Sequence, residues 1–563
     1  MAEDTQPGNL RFDWTTDDNV ANHLFRLEGA ILDRPGIIAA RWSERGELLG
    51  EEVWSFAKLR EQVLNCIRFL DAKGVKKGDR VLLMVRPGLE LIVICFALFR
   101  LGTIPVVIDP GMGLGKFRRA VRHSKPDILI GIPPAIWVSR LFRNSFHSVR
   151  SRYIVEKGTF FRRTEKYADA VFPKIETTRR DDLAAILFTS GSTGAPKGVC
   201  YEHGMFDAQI RLLKAYFHIL PGEVDLPMLP IFALFNPAMG MTTVIPEINA
   251  SKPATVNPAK IVAAVQRYKV TNSFGSPVLW RKIGDYCDSK GFRLPTLKRI
   301  LVAGAAAPTQ LYRQFELLLE NGTMYSPYGA TECLPVSVIS GPEVLGETAS
   351  LTDRGKGICV GKPLDEVNVR IVTSDAYGEL DELPKGEIGE ILVNGPSVTK
   401  VYDSLPEVNA RSKIIDAAGI WHRMGDTGYL DDQGRLWFCG RVVERVFSGH
   451  TPFYTECVEG LFLSHPQVRR CAMIEWKGIG SVTSPNNLAL VVEPEKKAWP
   501  SDKESQELFA RSLFIHLEEK ELSTSLNAFF FAKKLPVDVR HNAKIHRLKL
   551  RKTYQNRLPI IVS

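Results

Sequence analysis

The sequence predicts an α/β protein: a large multilobed N-terminal body with parallel α/β sheets and a β subdomain, followed by a small α+β C-terminal domain. Three observations carry this. Short β-rich runs alternate with helical stretches as far as Ala303, the rhythm of parallel sheets covered by helices. From Gly389 the pattern changes to GEILVNGP and GYLDDQGRLWFCGR, short alternating strands with tight turns. Beyond Arg441, strand-like runs (CAMIEW, LALVVE) flank a long amphipathic stretch from Glu504 to Glu521. The expected division is therefore 1–440 and 441–563.

The elements follow in order. Phe56, Leu59, Val63, Ile67 and Leu70 recur at helical spacing, with Ser55 placed to cap the start and Gly74 to end it. After the polar turn KKGDR come a strand from Val81 to Val85, an apolar helix, and a strand from Ile104 to Ile108. The apolar window Leu89 to Ile108 carries Glu90 and Arg100 and is cut by Gly102 and Pro105, so it reads as buried helix and strand, not a membrane span. Further strands are expected at Asp127 to Ile132, Ala184 to Phe188 and Arg299 to Ala303.

Composition narrows the class. A chain of 563 residues, 45% hydrophobic and 24% charged, has apolar surface for several cores, which excludes disorder, collagen-like structure and disulfide miniproteins. The 73 Lys and Arg exceed the 63 Asp and Glu by ten, a mild basicity that suits anionic small molecules or an anionic membrane surface and does not point to nucleic acid. Nine cysteines without a C-x-x-C pair argue against a disulfide framework or structural zinc, and the polar, acidic N-terminus lacks a secretion signal. A cytoplasmic protein is expected. The stretch from Arg140 to Tyr167, with eight Lys or Arg, two acids and six aromatics, is a candidate membrane or partner contact.

The most informative segment is TSGSTGAPKG, Thr189 to Gly198, directly after the strand AAILF. Small hydroxyl residues between glycines let backbone N–H groups and hydroxyls (Ser190, Ser192, Thr193 among Gly191 and Gly194) converge on phosphate oxygens, and Lys197 adds a compact positive charge. It is not a Walker loop, because Pro196 and Gly198 stand where that motif needs Gly and Ser or Thr. Gly111 to Gly115 and Gly304 to Ala306 also fail the dinucleotide spacing.

TSGSTGAPKG resembles the signature loop of the adenylate-forming superfamily of acyl-CoA synthetases, luciferases and nonribosomal-peptide adenylation domains. Six further motifs of that superfamily follow in order: AGAAAP (Ala303 to Pro308), YGATE (Tyr328 to Glu332), GEIGEI (Gly386 to Ile391), WHRMGD (Trp421 to Asp426), GR (Gly440, Arg441) and NAK (Asn542 to Lys544). The resemblance implies the adenylate-forming ligase fold with a mobile C-terminal domain, ATP and Mg²⁺ as cofactors, and specific roles. Tyr328 would stack on adenine, with Gly304, Ala305 and Ala306 lining it. Thr331 would bond the α-phosphate and Glu332 would hold Mg²⁺. Asp426 and Arg441 would bond the ribose, and Lys544 would reach from the C-terminal domain to the carboxylate and α-phosphate.

Departures from the superfamily pattern narrow the resemblance. The segment after the hinge reads GRVVERVFSGHTPFYTECVE, with Val443, Phe447, His450 and Thr455 replacing a charged residue, lysine, glycine and proline of the loop that lines the pantetheine tunnel in thioester-forming members. If the His450 position needs positive φ, histidine fits it poorly. Ala543 replaces the glycine before the catalytic lysine, and Ala233 stands where many acyl-CoA ligases carry histidine. With VDLPMLPIFALFNPAMG, SFGSPVLW and PVDVRHNAKIHRLKL, this set is similar to the β-lactone synthetases of bacterial long-chain olefin biosynthesis. That resemblance implies a 2-alkyl-3-hydroxy fatty acid activated as acyl-adenylate and closed by its own 3-hydroxyl, and association with other olefin-pathway enzymes. His203 and His450 are candidate bases by residue type, and Phe232, Ala233, Phe235, Phe274 and Trp280 are candidates for an apolar channel. The alternatives are an acyl-CoA or acyl-carrier ligase and, from another class, a nonenzymatic acyl-nucleotide-binding scaffold.

Overall fold

The computed structural model describes residues 17–189, 195–229, 234–249, 255–373, 380–480, 482, 484, 486–518, 526–537 and 545–562. Helix Phe56–Ala72 starts where the sequence places it: the Ser55 hydroxyl accepts the Lys58 backbone N–H at 3.2 Å, a cap that contributes about 1 kcal/mol. Its apolar stripe is buried, and Gly74 follows at φ +77°. Helix Leu89–Arg100 is buried almost all round, because it packs between helix Phe56–Ala72 and strand Ile104–Ile108. No helix among the described residues is long and apolar enough to cross a membrane.

Two sheets make the body. The first orders its strands Ser151–Ile154, Ile128–Gly131, Arg80–Met84, Ile104–Ile108, Leu183–Thr189 and Lys197–Glu202, all parallel except the last pair, which is antiparallel. The second has a parallel half running Thr323–Ala330, Arg299–Val302, Asn272–Gly275, Val224–Pro227, Thr242–Ile245 and Pro35–Trp42. Leu48–Ser55 closes that edge antiparallel. Parallel strands present the loops at their carboxyl ends to one crevice, which is where ligands bind in such sheets.

The β subdomain expected from Gly389 is not a separate sheet. It begins earlier, at strand Asn368–Val372, and strand Ile358–Pro363 joins it to the body: Lys362 and Pro363 pair with Val338 and Ser337, while Ile358 and Cys359 pair with Phe438 and Trp437. Antiparallel pairing carries straight on from parallel pairing, so sequence periodicity shows a change of pattern where the sheet is continuous.

The chain after Arg441 makes a four-stranded sheet of Val468–Glu475, Leu488–Pro494, Ala528–Phe531 and Ile560–Ile561, with helices Thr455–Leu463, Lys503–Glu518 and Arg547–Tyr554. It sits on the body through glycines. A Cβ at Gly440 would lie 2.2 Å from the Thr455 hydroxyl, one at Gly355 would lie 2.9 Å from Leu461, and one at Gly460 would lie 2.8 Å from the Thr352 carbonyl.

The stretch from Arg140 to Tyr167 is not one surface. Phe146 and Phe160 are core residues, Phe161 packs on Trp54, and Tyr153 and Tyr167 pack on Phe69. Arg150 is tied to Asp79 at 2.6 Å and to Asp127. Tyr153, Phe160 and Tyr167, which looked available in the sequence, bind this segment to helix Phe56–Ala72 through Phe69.

Gly440 has φ +130°, where alanine is strained by about 1–3 kcal/mol before any clash with Thr455. Gly440→Ala is expected to loosen the seating of helix Thr455–Leu463, read as several-fold faster tryptic cleavage at Arg441 and Arg445.

Candidate active site

The crevice between the sheets and the C-terminal unit is a cleft of ≈ 2950 Å³. The strand–turn–strand carrying the phosphate-type loop borders it. Thr189 and Lys197 are cross-strand partners that face the cleft, so the hairpin closes the ends of the loop between them. Ser190, Gly191, Ser192, Thr193 and Gly194 lie outside the described residues. Gly198 is required by packing: a Cβ there would meet Ile186 and Phe188 at 2.9 Å. The segment ending in Asp403 is stitched to this hairpin by Asp403 N–H donating to the Gly198 carbonyl at 2.7 Å, and Asp403 in turn takes both Arg80 amino groups at 2.9 Å.

Gly304, Ala305 and Ala306 leave the carboxyl end of strand Arg299–Val302 and line the cleft, with Gly304 at φ +93°. Beside them Tyr328, on strand Thr323–Ala330, donates its hydroxyl to Asp426 Oδ2 at 2.7 Å. Arg441 Nη1 lies 2.9 Å from Asp426 Oδ1 and also donates to the Met424 carbonyl. Burial first, then the Asp426 charge, pushes the Tyr328 phenol well above its ordinary value, so it remains a donor. Strand pairing enforces this triad, because Asp426 and Arg441 are direct neighbours across the hairpin Gly419–Leu430 and Leu436–Arg441.

Glu332 follows Thr331 at the turn into strand Cys333–Ser340. Its Oε1 accepts the Tyr402 hydroxyl at 2.7 Å, and its backbone carbonyl accepts Thr399 N–H at 2.8 Å. The other carboxylate oxygen has no protein partner among the described residues, which leaves a hard anionic donor facing the cleft, suited to a divalent cation on phosphates. Lys197 lies 5.1 Å from the Tyr402 ring and Lys413 lies 5.5 Å from it. Burial pushes the Lys413 ammonium down to about 8 against the pull of Glu332, and burial with Lys413 holds His422 well below its usual range.

The model of the AMP-binding enzyme family matches residues 34–403. The chain is 38% identical over 557 residues to the olefin beta-lactone synthetase of Xanthomonas campestris pv. campestris, which covers 95% of this chain and 97% of the relative. It is 39% identical over 492 residues to the olefin beta-lactone synthetase of Stenotrophomonas maltophilia, covering 85% and 87%. The chain belongs to the AMP-binding enzyme family. A long-chain-fatty-acid–CoA ligase of Thermus thermophilus is 25% identical over 517 residues, covering 89% and 90%. Among solved structures, ATP-bound MatB from Rhodopseudomonas palustris superposes with a TM-score of 0.74 at 21% identity, covering 96% of this chain and 99% of that one. Membership makes this chain an AMP-forming ligase and sets aside the nonenzymatic scaffold.

In this AMP-binding enzyme the cleft brings together Thr189, Lys197, Gly304, Ala305, Ala306, Tyr328, Thr331, Glu332, Asp426 and Arg441. Phe235 and Phe274 line it as expected, whereas Phe232, Ala233 and Lys544 lie outside the described residues. Trp280 does not line the channel: it is fully buried against Phe315, 5.4 Å between ring centres.

His203 is a core residue, not a cleft base. Its Nδ1 accepts the Val20 N–H at 3.2 Å, Phe99 packs edge-on against it, and burial drives its pKa down to about 4. His450 lies exposed in the turn between Val446–Ser448 and Thr451–Phe453, away from the cleft. The positive φ of that turn falls on Gly449, at +59°, because Ser448 pairs with Thr451 and leaves a two-residue loop with glycine first; His450 needs no left-handed backbone.

Tyr402 and Lys413 lie outside every motif, single residues on a loop and a strand, and His422 falls within WHRMGD without a role having been expected of it. No role was expected of Arg547 either. This buried guanidinium donates to Glu444 and Glu456 at 2.9 Å and to Glu459 at 2.6 and 2.7 Å. The three carboxylates outweigh burial and keep it cationic. The cage ties the segment Val442–Glu444, just past Arg441, to the helix that starts three residues after Lys544.

Tyr328→Phe is expected to weaken AMP binding about tenfold by calorimetry, the scale of a hydrogen bond to a charged group. His203→Asn is expected to keep turnover but alter acid stability. Unfolded, the imidazole gains its proton near pH 6.5, and folded only near 4, so its contribution is complete above 6.5 and lost as pH falls toward 4. Wild type should lose about 3 kcal/mol more than the variant across that window in urea titrations.

Proposed function

We propose that this enzyme activates a 2-alkyl-3-hydroxy fatty acid with MgATP and closes the acyl-adenylate to a β-lactone. The observation that carries the reading is identity of 38% across 95% of the chain to a relative named olefin beta-lactone synthetase. The altered segment from Val443 to Thr455 supports it, since a reaction whose nucleophile lies within the substrate needs no tunnel for a pantetheine arm.

In the first step the carboxylate oxygen attacks the α-phosphorus of ATP and pyrophosphate leaves. Gly304 to Ala306 and Tyr328 would hold the adenine, Asp426 and Arg441 the ribose, and Thr331 with residues 189–194 and Lys197 the phosphates. Glu332 would hold Mg²⁺, which neutralises phosphate charge. Lys544 would bring its ammonium to the carboxylate and α-phosphate from the C-terminal unit, taken here as residues 441–563 moving on a hinge at Arg441. In the second step the 3-hydroxyl oxygen attacks the activated carbonyl, the bond from that carbonyl to the AMP phosphate oxygen breaks, AMP leaves, and the hydroxyl proton passes to water. Holding the hydroxyl beside the carbonyl makes ring closure intramolecular and helps offset four-membered ring strain. Phe235 and Phe274 would line the alkyl channel. The enzyme would act in the cytoplasm beside other olefin-pathway enzymes.

A second reading, a long-chain acyl-CoA ligase, has the support of a more distant relative with that name. Incubation with MgATP and a synthetic 2-alkyl-3-hydroxy acid separates them: β-lactone and AMP without CoA are expected, whereas thioester formed only with CoA would overturn the lactone reading. Lys544→Ala is expected to lower pyrophosphate release by about 10²–10³-fold while ATP still binds, measured by isotope exchange and calorimetry. Unchanged release would remove Lys544 from the reaction.

A further inference from the structure

Helices Leu114–Ser124 and Pro133–Leu141 lie on the same face of the six-stranded sheet and share one core beneath, formed by Phe117, Ala120, Val121 and Ile136. They meet where Arg118 stacks 4.4 Å from the Phe142 ring and donates to the Ser145 hydroxyl. Their outer surface has an unusual make-up. Trp137, Leu141 and Leu114 stand 65%, 57% and 54% exposed, and Arg119, Arg122, Lys125, Arg140 and Arg143 are exposed around them. Between residues 110 and 150 the only acid is Asp127, and it is engaged by the Arg80 backbone N–H at 2.9 Å and by Arg150. None of Arg119, Arg122, Arg140 and Arg143 makes an ion pair among the described residues. The charge is felt inside: burial, then Arg140 and Arg143, lowers the pKa of Arg152.

A soluble face normally intersperses charges of both signs and keeps large apolar side chains covered. Cations without counter-charges, set around a projecting indole and two leucines, match a different solvent: an interface with anionic headgroups above and acyl chains below, where Trp is favoured and each Arg gains from the negative surface potential. The same face adjoins the cleft, since Met112, Lys116, Pro134 and Val138 line its edge.

We propose that helices Leu114–Ser124 and Pro133–Leu141 dock this enzyme reversibly on an anionic phospholipid surface, with Trp137 and Leu141 entering the interface and Arg119, Arg122, Arg140 and Arg143 over the headgroups. This goes beyond the lactone reading and does not depend on it, because vesicle binding requires no substrate.

The test is co-sedimentation of the full chain with phosphatidylglycerol-rich vesicles and with pure phosphatidylcholine vesicles, at low and high salt. Binding is expected to the anionic vesicles alone and to fall with salt. Each of Arg119→Gln, Arg122→Gln and Arg140→Gln should lower partitioning about fivefold, with melting temperature and pyrophosphate exchange on a short soluble acid unchanged. Trp137 is the one exposed tryptophan among the described residues, so brominated lipid should quench fluorescence in wild type and not in Trp137→Phe. Equal binding to neutral vesicles, undiminished binding of the arginine variants, or tighter binding to a single-stranded oligonucleotide than to the anionic vesicles would overturn the proposal.

Discussion

The carboxylate of Asp426 is the joint on which the site depends. One oxygen takes the Tyr328 hydroxyl from the parallel half of the sheet, and the other faces Arg441 from the last strand before the C-terminal unit. A hairpin and a strand residue 98 positions before Asp426 thus converge on one buried group. Removing Arg441 would leave the Asp426 charge without its cation in a low-dielectric setting, where such a loss is worth about 3–5 kcal/mol. In the proposed reaction the same group would meet the ribose, so the bond that assembles the cleft would also border the surface that receives the nucleotide.

A second set of buried charges repeats the logic beyond Arg441. Arg547 is surrounded by Glu444, Glu456 and Glu459, and Met473 N–H also donates to Glu459. Arg547 follows closely on the lysine taken as catalytic, and Glu444 closes the turn after Arg441. An ammonium supplied from a separate unit is useful only if that unit is held in a defined orientation. A four-group ion cage, together with close glycine contacts at Gly355, Gly440 and Gly460, supplies rigid geometry on both sides of the connection. Near the hairpin of Thr189 and Lys197 the Tyr402 hydroxyl fixes Glu332, and Lys413 fixes the segment that carries Tyr402 by donating to Thr399.

Much of the fold was legible because its signals are local. Ser55 capping helix Phe56–Ala72, the two-sided burial of Leu183–Thr189, and the tight turn between Leu430 and Leu436 all follow from residues close in the chain. Gly304 to Ala306 and the YGATE segment stood out for a different reason, as short contiguous motifs, and the structure brings both to the cleft. Trp280 and His203 were misplaced because residue type says what a side chain can do and not which way it faces. Trp280 sits on the helix face toward Phe315, and His203 points to the Val20 backbone.

By itself the sequence determined the α/β class, the body strands near 81–85, 104–108, 127–132, 184–188 and 299–303, and the ordered motifs that mark an AMP-binding enzyme. These depend on periodicity and on residues within a few positions of one another. Only the tertiary structure decided that the antiparallel strands from Asn368 continue the parallel sheet, that Tyr402 rather than a motif residue holds Glu332, and that Arg547 closes on three glutamates. Each of those pairings spans tens of residues or more, and the sequence carries no local record of a partner that only folding brings within 3 Å.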